Sequence, residues 1–416
     1  MIKVNSYIER SAFKAKSIDN KVPTDLALIV VIPCYNEPNL LATLNALMSC
    51  DRTNGSVEVI VSVNASETST EDVIHSNEKN LKLVADFQNE NDFPWISFYA
   101  IRSNDLPKKH AGVGLARKIG MDEAVRRFDS IDKDGGIVCF DADSLCSSNY
   151  LIDLEKAFSD KKVNTVGIAF EHPLTGEFSD EIYQAIAEYE LFLRYYALSL
   201  KYTGFPYHYH TIGSSMAARS SVYQKQGGMN RRKAGEDFYF LQKLFPLGGF
   251  VELKTCRVIP SPRQSDRVPF GTGKAVNDIL SKEESGYPTY PVEMFDWIKV
   301  LIDLAPDFYL NNEEQIGEKL DILNEGVQRF LLENDFIKSV LESSRQSLNK
   351  ERFVYRFFEY LNAFRLLKLV HFLRDEYTGS SDLVLNANSL LKKLGKDLEL
   401  NNAKDLLLAF REIEYD

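Results

Sequence analysis

The chain of 416 residues has no long apolar run. A membrane-spanning helix needs about 18 or more such residues, so the sequence offers none. Its N-terminal stretch, MIKVNSYIERSAFKAK, alternates charged residues with single apolar ones and lacks the continuous apolar core of a secretory signal. Cysteine is scarce. Cys34, Cys50, Cys139, Cys146 and Cys256 are odd in number and form no CxxC pair, which argues against a disulfide framework or a structural zinc site. A reducing cytosol suits this usage. Positive charge is the minority sign: 49 Lys+Arg against 60 Asp+Glu leave a net charge of −11. That balance excludes a chain gripping nucleic acid along its whole surface, while leaving room for a local basic pocket. Internal repeats and low-complexity tracts are absent, so solenoids and arrays are excluded.

What remains is an ordinary globular composition whose length suggests two or three domains at roughly 100–200 residues each. Residues 1–25 read as a polar leader with one short helix. LALIVVIP (26–33) is then a continuous apolar run closed by proline, the pattern of a strand buried on both faces. Helical stretches around 39–50, 70–86 and 111–128 alternate with strands at Val57–Val63, Trp95–Ile101 and Gly136–Asp143. This order predicts an α/β fold, a mostly parallel sheet flanked by helices, with ligands held at the carboxyl ends of the strands. Asp180–Tyr202 reads as a long aromatic-rich helix, 260–292 as loop, and the rest as helix. The predicted division is 1–25, an α/β domain at 26–290, and an α-helical domain at 291–416.

Asp141-Ala142-Asp143 follows the strand GIVCF. Alternation puts both carboxylates on one side, where they repel unless a cation joins them. A hard divalent ion, Mn²⁺ or Mg²⁺, suits oxygen ligands, and bound to a diphosphate it neutralises charge on a departing phosphate. Read alone, the tripeptide is equally a helix cap beside a solvated turn.

VVIPCYNEP places Pro33, Tyr35, Asn36 and Glu37 at the exit of the first strand. Here the sequence resembles the family 2 glycosyltransferases, which have the GT-A nucleotide-sugar fold. Three further segments match in order. LPKKHAGVGLARKIG resembles the loop and helix bordering the nucleotide, with Lys109, Gly112 and Arg117, and with Lys118 where the family has Asn. Asp141 and Asp143 match the metal motif. HTIGSSMAARSSVYQKQGGMNRRKAGEDF matches the acceptor side, with Gly213 and Ser214 as its small-residue floor and Glu236-Asp237 as its acidic pair. The resemblance spans about 26–262. It implies an inverting transferase moving a sugar from a UDP- or GDP-linked donor to a hydroxyl of a glycan, lipid-linked or small-molecule acceptor. Asp237 would be the general base, with Glu236 beside it. Asp141 and Asp143 would hold the metal, and Asp141 the donor as well. The family usually carries an acidic residue after the second strand; here SVNASE offers Asn64 instead, leaving the base of the nucleotide open.

SPRQSDRVPFGTGK adds a basic loop, in which Arg263 and Arg267 are expected to meet the diphosphate. Gln264 and Arg267 have the Q-x-x-R spacing of processive relatives, with Val268 in place of their Trp. His208 and His210 alternate with tyrosines, and His210 is expected on the acceptor side. RFVYRFFEYLNAFRLLKLVHFLRDEY (352–377) reads as a helix of the core, a homo-oligomer interface or a peripheral membrane contact. Two other functions fit an α/β chain. A nucleotidyltransferase would open with a glycine-rich signature, absent from 33–38, and a silent sugar-nucleotide-binding scaffold has no need of the four acidic residues.

Overall fold

The computed structural model describes residues 5–13, 16–91, 93–265, 271–281 and 287–415. Eight strands form one sheet: β1 (Leu28–Cys34), β2 (Val57–Ser66), β3 (Ile96–Leu106), β4 (Gly136–Cys139), β5 (Leu145–Cys146), β6 (Thr165–Phe170), β7 (Met216–Arg219) and β8 (Phe250–Ile259), in the order β3-β2-β1-β4-β7-β6-β8-β5. β1 runs parallel to both β2 and β4, and β2 parallel to β3. β7 lies antiparallel between β4 and β6, and β6 is parallel to β8. The apolar run of β1 earns its central place. Leu28 through Ile32 are fully buried, as a strand with neighbours on both edges and helices on both faces requires.

The helices that precede or alternate with these strands are α1 (Ser6–Arg10), α2 (Leu40–Met48), α3 (Glu71–Glu90), α4 (Val113–Ser130), α5 (Tyr150–Ser159), α6 (Asp180–Tyr202), α7 (Ser220–Lys225) and α8 (Glu236–Leu244). Contacts divide the chain into two units that are not consecutive in sequence: Met1–Phe178 with Thr211–Lys274, and Ser179–His210 with Ala275–Asp416.

In the α/β unit the leader is fastened to α4. Asp122 is fully buried and accepts hydrogen bonds from the Tyr7 hydroxyl (2.6 Å), the Tyr223 hydroxyl (2.7 Å) and the Phe13 amide (2.7 Å). Glu123 accepts from the amides of Ser17 and Ile18. Two buried acids thereby satisfy backbone donors that would otherwise be costly to desolvate.

The helical unit holds α6 together with α9 (Thr272–Leu280), most of which lies in it, α10 (Val292–Asp303), α11 (Glu313–Leu320), α12 (Glu325–Glu333), α13 (Phe336–Arg345), α14 (Lys350–Tyr360), α15 (Ala363–Leu373), α16 (Leu383–Lys393) and α17 (Ala403–Tyr415). α9 falls where the sequence reads as loop; its Ala275 and Val276 are buried, which gives a short segment between glycines a face to pack. The aromatic stretch 352–377 is two helices, α14 and α15, separated at Leu361 and Asn362, and Asn362 caps the second by accepting from the Arg365 amide. Phe353, Phe357, Leu366, Leu369, Val370 and Leu373 are buried. α17 packs on α6 through a buried ionic network: Glu190 accepts from Arg194 and, with both oxygens, from Arg411 (2.8 Å each), while Glu414 pairs with Arg194 and His210. Among the described residues no helix is long and apolar enough to cross a membrane.

Candidate active site

The exits of β1, β2 and β4 lie side by side, as the sheet order requires, and each carries polar residues. β1 ends at Cys34, and Asn36 turns the chain with φ 47°, a left-handed conformation that Asn tolerates better than most side chains. Its amide donates to Asn77 Oδ1 at 3.0 Å. Asn77, fully buried on α3, also donates to the Asn64 carbonyl and to Asn104 Oδ1, both at 3.0 Å, so one side chain ties together the exits of β1, β2 and β3. Asn80, one turn further along α3, donates to the Glu37 carbonyl at 3.0 Å. Sequence reasoning missed both asparagines. Their only signal was a polar residue on the apolar face of an amphipathic helix.

β4 ends at Cys139, earlier than the sequence reading places it, and Asp141-Ala142-Asp143 forms a turn closed by the Ser144 amide donating to the Asp141 carbonyl at 3.1 Å. The alternation survives: Ala142 is buried and the two aspartates are half-buried. α2 fixes this turn from behind, because the Thr43 hydroxyl reaches the carbonyls of Ala142 (2.9 Å) and Ser144 (3.1 Å).

Two arginines organise the acids. Arg117, 2% exposed on α4, forms ion pairs with Asp141 and Glu236. Gly213 leaves the room for it; a Cβ there would stand 2.5 Å from both terminal guanidinium nitrogens. At the expected small-residue floor, Gly213 thus makes room for Arg117, and Ser214, next in sequence, is buried. Gly114 has a similar reason: its amide donates to the Arg232 carbonyl, and a Cβ would meet that oxygen at 2.4 Å. This brings the segment leading to Glu236-Asp237 against the N-terminus of α4, where Gly112 is the cap.

Arg263 bridges Glu37 and Asp143, donating at 2.8 Å to Glu37 Oε1 and at 2.7 Å to Asp143 Oδ2. Glu37 is 2% exposed. Tyr35, Glu37, Arg117, Asp141, Asp143, Glu236, Asp237 and Arg263 therefore fall at the sheet's carboxyl end. Lys109 is exposed in the turn before α4. Lys118 faces elsewhere; its ammonium pairs with Asp122 at 2.9 Å and donates to Tyr7 at 3.1 Å. Arg267 lies outside the described residues. Pro33 lies within β1, and Asn64 is buried near the end of β2. His210 belongs to the helical unit, where it pairs with Glu414 at 2.9 Å.

Burial dominates the protonation of this cluster. It pushes Glu236 up to about 7 against the opposing pull of Arg117, with repulsion from Asp237 adding to the rise. Asp143 is also raised to about 7, by burial, with Arg263 opposing and Asp141 and Glu37 reinforcing. Asp237 is raised by burial and lowered by Arg117 and by the Phe238 amide that donates to it. Perturbed acids gathered at the carboxyl end of the sheet make this a candidate working site. Among the described residues no group of three or more His, Cys, Asp or Glu side chains is arranged to hold a metal ion.

No curated protein matches this chain. Among solved structures, S. aureus TarS 1–349 in complex with UDP-GlcNAc is 14% identical, with 82% of this chain and 92% of that chain covered and a TM-score of 0.40. The same TarS fragment in complex with UDP is 13% identical, with 82% and 91% covered and a TM-score of 0.37. A profile described as "Glycosyltransferase like family 2" matches residues 24–238, just over half of the chain and the segment holding every acid of the cluster. The chain belongs to this family and is a glycosyltransferase.

Proposed function

We propose that the α/β unit transfers a sugar from a UDP- or GDP-linked donor to a hydroxyl of an acceptor glycan, lipid-linked glycan or small molecule, with inversion, in the cytoplasm. The observation carrying this reading is the array of Glu37, Asp141, Asp143, Glu236 and Asp237 around Arg117 and Arg263 at the carboxyl ends of β1 and β4.

The donor chemistry fits a divalent cation. Asp141 and Asp143 are two hard carboxylates, and the raised Asp143, half-buried beside Asp141, is an acid that a cation would hold ionised. Two protein ligands suit Mg²⁺ or Mn²⁺ when diphosphate oxygens and water complete the shell. Bound there, the ion would offset the charge of the departing nucleoside diphosphate. The chain's own residues do the rest. Tyr35, Asn64, Lys109 and the backbone at Gly112 border the nucleotide, with Asn64 offering a hydrogen bond to a base edge. The Arg263 fork suits phosphate oxygens. Arg117 holds Asp141 and Glu236 in fixed positions. Asp237, in the first turn of α8, removes the proton from the acceptor hydroxyl as its oxygen attacks the anomeric carbon and the bond to the phosphate oxygen breaks. Gly213 and Ser214 shape the acceptor side.

A thermal-shift screen against UDP, GDP and their sugars with Mn²⁺ tests the reading, because a ligand bound only by the native state raises the melting temperature. A shift with one nucleotide series supports it. No shift with any of them contradicts it. A lipid-linked acceptor would bring the helical unit to anionic vesicles, which flotation reads directly.

A further inference from the structure

Two of the five cysteines face each other. Cys50, 6% exposed and just beyond the C-terminus of α2, has its sulfur 3.6 Å from that of Cys146, which is half-buried on β5. They are 96 residues apart in sequence, so the fold brings them together. The Asp51 amide donates to the Ser148 carbonyl at 2.7 Å and holds the two segments side by side. The hydrogen bond with Cys146 is the main influence lowering the Cys50 thiol from its ordinary range, against burial.

Cys146 sits three residues after Asp143, and α2 is already bonded to the acidic turn through Thr43. Any pull between Cys50 and Cys146 is therefore applied to the segment carrying Asp141 and Asp143. A disulfide has a sulfur–sulfur length of roughly 2.05 Å, so closing the gap draws the sulfurs together by about 1.5 Å.

We propose that Cys50 and Cys146 are a modification site: a dithiol that a peroxide oxidises to an intramolecular disulfide, slowing sugar transfer by shifting the acidic turn. One thiolate attacks a peroxide oxygen, breaking the O–O bond to give a sulfenic acid and, after protonation, water. The second sulfur then attacks the sulfenic sulfur; the S–S bond forms, the S–O bond breaks, and a second water leaves with the remaining thiol proton. The peroxide is reduced and the two thiols are oxidised. A small dithiol reverses the step by exchange.

The effect on rate rests on the donor-site reading given above; the bridge itself is read without any sugar donor. Full-length protein is treated with hydrogen peroxide, alkylated and mapped by mass spectrometry, with transfer measured before and after dithiothreitol. The expected result is a Cys50–Cys146 cross-linked peptide, three alkylated cysteines, a fall in kcat of up to about 10²-fold, the cost of a misplacement of about 1 Å, and recovery on reduction. Cys146→Ser should keep its rate in peroxide. Five alkylated cysteines, a bridge to Cys256, or a bridged protein that transfers as fast as the dithiol form would overturn the proposal. Mapping of the unsubstituted protein decides the bridge even if Cys146→Ser folds poorly.

Discussion

Each unit buries an arginine between carboxylates, and the two clusters behave in opposite ways. In the helical unit Arg194 and Arg411 share Glu190 and Glu414 with His210 at the edge, so cations match acids. Glu414 is held below its ordinary range, as His210 and Arg194 outweigh its burial. In the α/β unit burial wins instead: Glu236 and Asp143 are raised to about 7 despite Arg117 and Arg263. A satisfied network fixes a helix pair. A cluster whose acids are held near neutrality is poised to accept a proton, a cation or a phosphate-bearing ligand. The family match spans the five acids and Arg117 of the second cluster but not Arg263, and of the first it spans Glu190, Arg194 and His210 but not Arg411 and Glu414.

Breaking the poised cluster at its reactive member should have the largest effect. Asp237→Asn keeps the shape but removes the base, so kcat should fall by at least about 10²-fold, while nucleotide-induced thermal shift persists. Survival of transfer would move the base elsewhere. The next contrast is between the arginines. Arg194→Gln strands buried acids in the matched network and should cost about 3–5 kcal/mol in urea unfolding at neutral pH. Arg117→Gln should cost less, because Glu236 and its neighbours take up protons readily, yet it should abolish donor binding. Equal losses of stability would erase the distinction between the clusters.

The pH dependence sharpens it further. Folded Glu236 binds a proton up to about 7, whereas an unfolded glutamate releases it near its ordinary value of 4.5. The folded form thus binds more protons between these limits, and this contribution to stability is lost as pH rises through 7. Melting temperature of the ligand-free protein should fall between pH 5 and 8, and Glu236→Gln should flatten that slope. The smallest expected effect is Gly213→Ala. Its Cβ would displace the Arg117 guanidinium, raising donor KM by about tenfold (~1.4 kcal/mol) with only a minor change in melting temperature. An unchanged KM would mean that the guanidinium relocates without consequence.

Much of the poised cluster was legible in the sequence because its parts are local. Apolar runs such as LALIVVIP and GIVCF announce strands, and the polar residues after them must sit at strand ends. The clamp by Arg263 was legible only as a basic loop; that it meets Glu37 and Asp143 depends on residues more than a hundred positions apart. Asn77 and Asn80 were invisible because one polar residue on a helix face has many uses. The matched cluster was hidden for the same reason. Arg194 and Glu190 are neighbours on α6, but Glu414 and Arg411 arrive from the far end of the chain. Helix α6 lies between α/β segments in sequence, and its packing partners alone assign it to the helical unit.

The central claim is that the acids at the carboxyl ends of β1 and β4 form a cation-assisted donor site. Isothermal titration of UDP- and GDP-sugars, with and without Mn²⁺, into the unsubstituted protein and into an Asp141→Asn/Asp143→Asn variant tests it most directly. One donor should bind the unsubstituted protein only with Mn²⁺ and should not bind the variant. Equal binding to both proteins, or binding indifferent to Mn²⁺, would contradict it.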